Sequence, residues 1–469
     1  MAAGLKLNVF MKRLLLIFSV LLASAVTMSA TGPDGEKKTG KNVREELESH
    51  VKVYGFIRNF FPFDSRESAS GTGNLFYYLP FDHDYDSDGN DLNDSPSFRF
   101  LSITSRVGLD VLGYRVGKMD ISAKVETDFY AGLSGSTGTA TMRLRQAYLK
   151  LGWAALPMCG GGKASVSLLM GQAWHPMAAD QPDVIGLATG APFNPFNRSP
   201  QVTVEANLGT HFTITGALVY QMQYPSVGPD GASADYMKYG LLPEAYAAVS
   251  YKSGGFLAKA GVSVLSIKPY NAYEIPGTGS MPAEKHRTSG RMTAVSPYLY
   301  LQYKEGNFTL KAKTVYGGAA DYLNLVSGYG VTSVGDDWHL EYAPTYTSSS
   351  WLSLSYGKKV QGMFMAGYMN NLGAAKDFMD DGEAYWFFSK DGGNFKNLAQ
   401  AFRVVPAVIW NIGKFALGLE YEVTAVQYGS NRNMNGSVMA DGQVLPDGTV
   451  AERHWVANHR VQLMTRFNF

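Results

Sequence analysis

From Val51 to the last residue, apolar and polar positions alternate with a period of two, the pattern of strands with two unlike faces rather than of helices. In "LSITSRVGLDV", Leu101, Ile103, Val107, Leu109 and Val111 oppose Ser102, Thr104, Arg106 and Asp110. In "MDISAKVETDFY", Met119, Ile121, Ala123, Val125 and Phe129 oppose Asp120, Ser122, Lys124, Glu126 and Asp128. The chain ends on "WVANHRVQLMTRFNF", with Val461, Leu463, Thr465, Phe467 and Phe469 on one face and Arg460, Gln462, Met464, Arg466 and Asn468 on the other. A soluble sandwich would bury the apolar faces in a core, whereas a membrane barrel would turn them to lipid and the charged faces to a watery lumen.

Connection lengths separate the two. About sixteen strands are expected, starting near Val51, Ser97, Met119, Thr141, Ala164, Gln201, His211, Glu244, Phe256, Met292, Phe308, Ser349, Gln361, Gln400, Phe415 and Trp455. Tight turns such as "NLGT", "KSGG", "KEGN" and "NIGK" alternate with long polar loops near 60–96, 131–140, 175–200, 222–243, 268–291, 317–348, 369–399 and 429–454. Short turns on one side and long loops on the other characterise an outer-membrane barrel, with the turns periplasmic and the loops extracellular. The expected fold is therefore all-β, a transmembrane antiparallel β-barrel over 51–469. Closure leaves no sheet edge unpaired in lipid, and sixteen strands are enough to leave an aqueous channel.

Composition agrees with this reading. Charged residues are 17% of the chain, below the roughly 25% of soluble domains, while 28 Tyr and 51 Gly suit strands, turns and interfacial aromatic rings. A net charge of +1 gives no basic excess for a nucleic-acid partner. "MKRLLLIFSVLLASAV" has the basic start, apolar run and small-x-small site of a secretory signal. Residues 1–25 are expected to form that signal, with Met11 as an alternative start, and 26–50 a short periplasmic linker. The single Cys159 has no partner for an internal disulfide.

"VYGFIRNFF", "SRVGLDV", "AKVETDFYA", "LRLRQAYLKLG" and "LLMGQAWHP", in that order over residues 51–176, resemble the successive strand motifs of the DcaP-like trimeric outer-membrane porins of Gram-negative bacteria. The resemblance implies a homotrimeric, sixteen-stranded porin in the outer membrane, admitting small anionic solutes such as carboxylates. The terminal Phe469 resembles the signature read by the outer-membrane assembly machinery. By resemblance to classical porins, the third long loop, "HPMAADQPDVIGLATGAPFNPFNRSP", is the constriction candidate, with Asp180 and Asp183 facing a basic wall.

Parity supplies that wall. Lys52 and Arg58 on the first strand, Arg106 on the second, Lys124 on the third, Arg143 and Arg145 on the fourth, and Arg460 and Arg466 on the last all fall on the lumenal face. Arginine's permanent charge and planar fork suit a carboxylate. The same cations can instead brace the wall by pairing with Asp110, Asp120, Glu126 and Asp128. Parity falters after Ala147 in "RQAYLKL", which points to a bulge there that would change which of these residues face inward. In the first loop, Asp84, Asp86, Asp88 and Gly89 match the first half of a calcium loop, but position twelve is Ser95 rather than Glu, so only weak calcium binding is expected there. No other cofactor is expected. Neither a nucleophile motif nor metal-ligand spacing stands out, so the expected function is a porin and not an enzyme, with a non-channel adhesin or structural barrel as the alternative.

Overall fold

A computed structural model describes residues 50–469 apart from 72–75, 103, 131–140, 158–161, 276–281, 380–383 and 391–392. The expected signal peptide, nearly all of the linker and Cys159 lie outside the described residues. The barrel strands are β1 (Val51–Asp64), β2 (Arg106–Val116), β3 (Met119–Tyr130), β4 (Thr141–Pro157), β5 (Lys163–Trp174), β6 (Arg198–Leu208), β7 (Phe212–Val219) and β8 (Glu244–Ser253). They continue as β9 (Phe256–Ile267), β10 (Met292–Glu305), β11 (Phe308–Gly318), β12 (Leu340–Gly357), β13 (Val360–Ala374), β14 (Leu398–Ile412), β15 (Phe415–Gly429) and β16 (Arg453–Asn468). Each pairs antiparallel with its sequence neighbour, and β16 closes the ring on β1, from Phe56 opposite Asn468 to Asp64 opposite Arg460.

Alternation fixes which face meets lipid. Val53, Ile57, Leu299, Leu301, Val461, Leu463 and Phe467 are exposed apolar side chains on the outer surface. Between them, Phe60, Tyr298, Tyr300, Met365 and Met464 turn inward and are buried. Closure also involves the last residue. Phe469 N–H donates to Gly55 O at 3.1 Å, and the Phe469 ring lies where a Cβ on Gly55 would sit, so only glycine admits this contact. The tight turns likewise need backbone freedom, as at Gly413, with φ of 61°, between β14 and β15.

Two boundaries differ from the sequence reading. β12 begins at Leu340 rather than near Ser349, because its extracellular end pairs with a loop strand, Gly328–Val334. The second strand is interrupted. Ser97–Phe98 pairs with the end of β1, the chain then bridges Phe60 through Leu101, and regular pairing resumes only at Arg106.

The long loops do not all stand free of the mouth. Side chains from several of them, among them Phe76, Phe196, Tyr236, Leu323, Tyr329, Phe378, Tyr385 and Phe395, pack with the upper inward residues of the barrel into one buried apolar cluster. This gives the extracellular end a core of its own, as a soluble domain has.

Candidate functional site

Strand register assembles the basic wall. Arg58 on β1 lies opposite Arg466 on β16, and Phe56 on β1 opposite Arg106 on β2. On β3, Lys124 lies opposite Asp110 and Asp128 opposite Arg106. The anticipated irregularity is real and falls at Arg145. The β3–β4 register shifts between Glu126 and Thr127, leaving Arg145 as an extra residue on β4. The bulge lets both Arg143 and Arg145 reach inward while Tyr148 and Lys150, of the opposite parity, do so further along.

Part of this wall is braced. Arg143 forms a two-pronged pair with Asp128, Nε to Oδ1 and Nη2 to Oδ2, each 2.9 Å. Arg145 bridges Glu126 at 2.9 Å and Asp128 at 2.7 Å. Lys124 donates to Tyr54 Oη at 2.8 Å and pairs with Asp110 at 2.8 Å. Three others are looser. Arg106 reaches Glu126 only at 3.5 Å, and its Nε has no hydrogen-bond partner among the described residues. Arg58 donates to Thr104 Oγ1 at 3.1 Å and lies over the Phe56 and Phe60 rings, at 4.8 and 4.9 Å. Neither Arg58 nor Arg466 has a carboxylate partner among the described residues, and Arg466 Nε has no hydrogen-bond partner. Aromatic faces hold the guanidinium of Arg58 without neutralising it, so positive charge is left facing the lumen around Arg58, Arg106 and Arg466.

The other expected wall residues fall elsewhere. Lys52 is exposed at the periplasmic rim. Arg460 is buried and tied to Asp64 at 2.9 Å, so it belongs to the β1–β16 seam rather than to the open wall. Asp120 pairs with Arg115 at the exposed β2–β3 turn.

The third loop, residues 175–197, runs into the lumen. Its acids do not face the β1–β4 wall. Asp180 pairs with Lys259 on β9 at 2.7 Å and Asp183 with Lys311 on β11 at 2.6 Å, strands about halfway round the ring from β1. Asp183 is also tied to β12, its N–H donating to Ser353 Oγ at 3.0 Å and its Oδ2 accepting from Ser355 Oγ at 2.9 Å. Lys313 on β11 is buried and donates to the carbonyls of Met177 and Asp180 and to Asn194 Oδ1. Trp351 Nε1 donates to Asn194 Oδ1 at 3.0 Å, Arg403 Nη1 to Ala191 O at 2.7 Å, and Ile185 N–H to Glu420 Oε2 at 2.6 Å. Lys313, Trp351, Met365, Arg403 and Glu420 on β11–β15 are thus buried on the side this loop covers.

Lys259, Lys311 and Lys313 went unnoticed in the sequence, yet a signal was there. In "FLAKAGV" and "LKAKTV", lysines stand at lumenal parity in otherwise apolar strands, where an amine needs acceptors from elsewhere.

In the first loop, Asp86 is engaged by donors of its own turn. Asp86 Oδ1 accepts from the N–H groups of Asp88 and Asn90 at 2.9 and 2.8 Å, and Asp86 Oδ2 from Asn90 Nδ2 at 3.0 Å. The Asn90 amide and these backbone donors hold its carboxyl below the usual carboxylate range. Among the described residues no group of three or more His, Cys, Asp or Glu side chains that could hold a metal ion is found. Asp86 braces its own turn instead.

No protein-family model matches the chain, and no curated protein matches it significantly. Among solved structures it is similar to the outer membrane channel DcaP of Acinetobacter baumannii, 16% identical, over 89% of this chain and 97% of that one, with a TM-score of 0.53. OmpT, an outer membrane protein of Vibrio cholerae, is 12% identical over 89% of this chain and 97% of that one, with a TM-score of 0.46. An anion-selective porin from Comamonas acidovorans is 12% identical over 89% of this chain and 99% of that one, also at 0.46. The chain has the fold of an outer-membrane channel.

Proposed function

We propose that this protein is a porin of a Gram-negative outer membrane, a water-filled channel for passive diffusion of small anionic solutes such as carboxylates. The observation that carries the reading is the pair Arg58 and Arg466, with Arg106 beside them: inward guanidinium groups that lack a full carboxylate partner, on the side of the lumen away from the third loop's anchors. A passing carboxylate exchanges part of its hydration for charge-assisted hydrogen bonds to these forks, each worth about 1.5–3 kcal/mol. Such contacts are strong enough to draw an anion in and weak enough to release it, as conduction requires. Arg143, Arg145 and Lys124 act mainly as braces, their charge spent on Asp128, Glu126 and Asp110.

Planar-bilayer recording in a KCl gradient tests this. An open channel whose reversal potential favours chloride is expected. A cation-selective channel would overturn the anion reading, and the absence of conductance would favour an adhesin or structural barrel.

Two partners belong to the same proposal. A homotrimer is expected, and mass measurement in mild detergent checks it. The assembly machinery is expected to read Phe469, whose backbone and ring complete the β16–β1 seam at Gly55. Deleting Phe469 should lower the yield of heat-modifiable barrel in the outer membrane, and an unchanged yield would contradict the role.

A further inference from the structure

The outer surface of a membrane barrel is normally evenly studded with apolar side chains, but here one region is hollowed. A groove of about 730 Å³ is cut into the membrane face of β11–β15. Its walls are large side chains, including Phe308, Tyr356, Phe364, Leu419 and Tyr421, and its floor contains Gly362 and Pro406. A Cβ placed on Gly362 would meet nothing within 4 Å, so packing does not demand glycine there. Its effect is to keep the groove open. Pro406, which cannot donate to the ladder, stands mid-strand where proline is unusual, and regular β14–β15 pairing is absent between Val404 and Ala407.

Position along the strands limits what can fill it. Val360 and Phe308 are the first residues after the turns at 358–359 and 306–307, so the groove starts at the periplasmic end. At that end stand exposed Lys358, Lys359 and Lys414. The 358–359 turn is held against β14 by Asn411, whose Nδ2 donates to Lys358 O at 2.8 Å and whose N–H donates to Lys359 O at 2.7 Å. An apolar groove leading down to exposed lysines at the membrane edge matches an anionic headgroup with a tail above it.

We propose that this groove seats an acyl chain of an inner-leaflet phospholipid, with the lipid phosphate held by Lys358, Lys359 and Lys414. The proposal rests on the membrane-barrel fold and not on which solute permeates.

Native mass spectrometry of the full-length protein tests it, after delipidation in mild detergent and titration with phosphatidylglycerol or uncharged diacylglycerol. A saturable phosphatidylglycerol adduct is expected on the native barrel. Gly362→Leu, which fills the floor, should lower the bound fraction of both lipids at least fivefold. Lys358→Ala/Lys359→Ala/Lys414→Ala should lower it for phosphatidylglycerol alone. Heat-shifted gel mobility checks closure, and the lysine variant, confined to exposed turns, decides the matter if Gly362→Leu does not close. Equal adducts on native and lysine-variant barrels would overturn the proposal. So would efficient cross-linking of two chains through Val360→Cys, which would assign the groove to a second copy.

Discussion

Arg58 and Arg403 both point inward from barrel strands, yet their surroundings have little in common. Arg403, on β14, is buried, pairs with Glu422 at 3.2 Å, donates to Thr424 Oγ1 at 2.8 Å and to Ala191 O on the third loop at 2.7 Å. Arg58, on β1, stays partly exposed, has one side-chain hydrogen bond to Thr104 and no carboxylate partner among the described residues. The contrast extends to their neighbourhoods. On β9–β15 the inward Tyr298, Tyr300, Lys313, Trp351, Met365 and Met369 are all buried, whereas Tyr54, Phe56, Arg106 and Lys124 on β1–β3 are not. One half of the wall is the core of a folded protein, with the third loop as its second layer. The other half keeps Tyr54, Phe56, Arg106 and Lys124 partly exposed around the buried Glu126, Asp128 and Arg145. The lesson is that one strand pattern serves both ends, and the loop laid against it decides whether a lumenal residue gives stability or selectivity.

Several substitutions can break that contrast or sharpen it. The largest loss of stability is expected from Arg403→Gln, which removes the cation paired with buried Glu422 at 3.2 Å and leaves it with Arg460 across the β15–β16 ladder. Removing one member of a buried pair costs about 3–5 kcal/mol, and denaturant unfolding in detergent should read it. Lys313→Met comes next. It strands carbonyls of Met177 and Asp180 and leaves Asn194 Oδ1 with Trp351 Nε1 as its donor, so about 1–3 kcal/mol is lost, and single-channel conductance should rise as the loop loosens. On the open side, Arg58→Gln/Arg106→Gln/Arg466→Gln should cost about 1 kcal/mol or less at each position, the scale of an exposed cation–π contact. The same variant should move the reversal potential in a KCl gradient towards cations. An Arg403 variant as stable as the native chain, or an Arg58 triple variant that fails to close, would erase the distinction between the halves.

A weaker, pH-dependent effect is expected in the extracellular loops. Asp321, in the sixth long loop, is buried. Its Oδ2 accepts from Val227 N–H at 2.6 Å, while its Oδ1 has no partner. Burial pushes its carboxyl up to about 7, against which the Val227 hydrogen bond and Lys390 act only in part. An acid with a raised folded-state value binds its proton more tightly when folded. The loop is therefore most stable below the ordinary carboxylate value, loses stability as pH rises from about 4, and levels off above about 7. Protection of amides around Asp321, relative to their intrinsic exchange rates at each pH, should be weaker at pH 8 than at pH 5, and Asp321→Asn should remove most of that difference. Smallest of all is the response to calcium. Because Asp86 already braces its own turn, millimolar calcium should leave thermal unfolding of the chain unchanged.

Much of the barrel was legible because a period of two is a local property. Strand number, closure, the lipid-facing residues of β16 and the lumenal parity of Arg58, Arg106, Lys124, Arg143 and Arg466 all follow from spacing. Even the bulge left a mark, as the broken alternation read after Ala147, two residues beyond the extra Arg145. What spacing cannot carry is a contact between distant segments. Asp180 and Lys259 are 79 residues apart, and Asp183 and Lys311 are 128 apart. The sequence reading therefore aimed the loop's acids at the wrong wall. Arg460 shows a related limit. Its parity is lumenal, as read, but Asp64 at the end of β1 and the first loop above it bury the charge. The start of β12 was misjudged for the same reason, since Leu340 pairs with a strand formed inside a loop.

The central claim is that solute passes along β1–β4 while β9–β15 is sealed beneath the third loop. Cysteine accessibility during conduction tests it most directly. In a Cys159→Ser background, Tyr54→Cys, Phe56→Cys, Tyr298→Cys and Met365→Cys would be placed one at a time in planar bilayers and exposed to a charged, membrane-impermeant thiol reagent. The account predicts stepwise current block for Tyr54→Cys and Phe56→Cys and none for Tyr298→Cys or Met365→Cys. Block at Met365→Cys as fast as at Tyr54→Cys would contradict it.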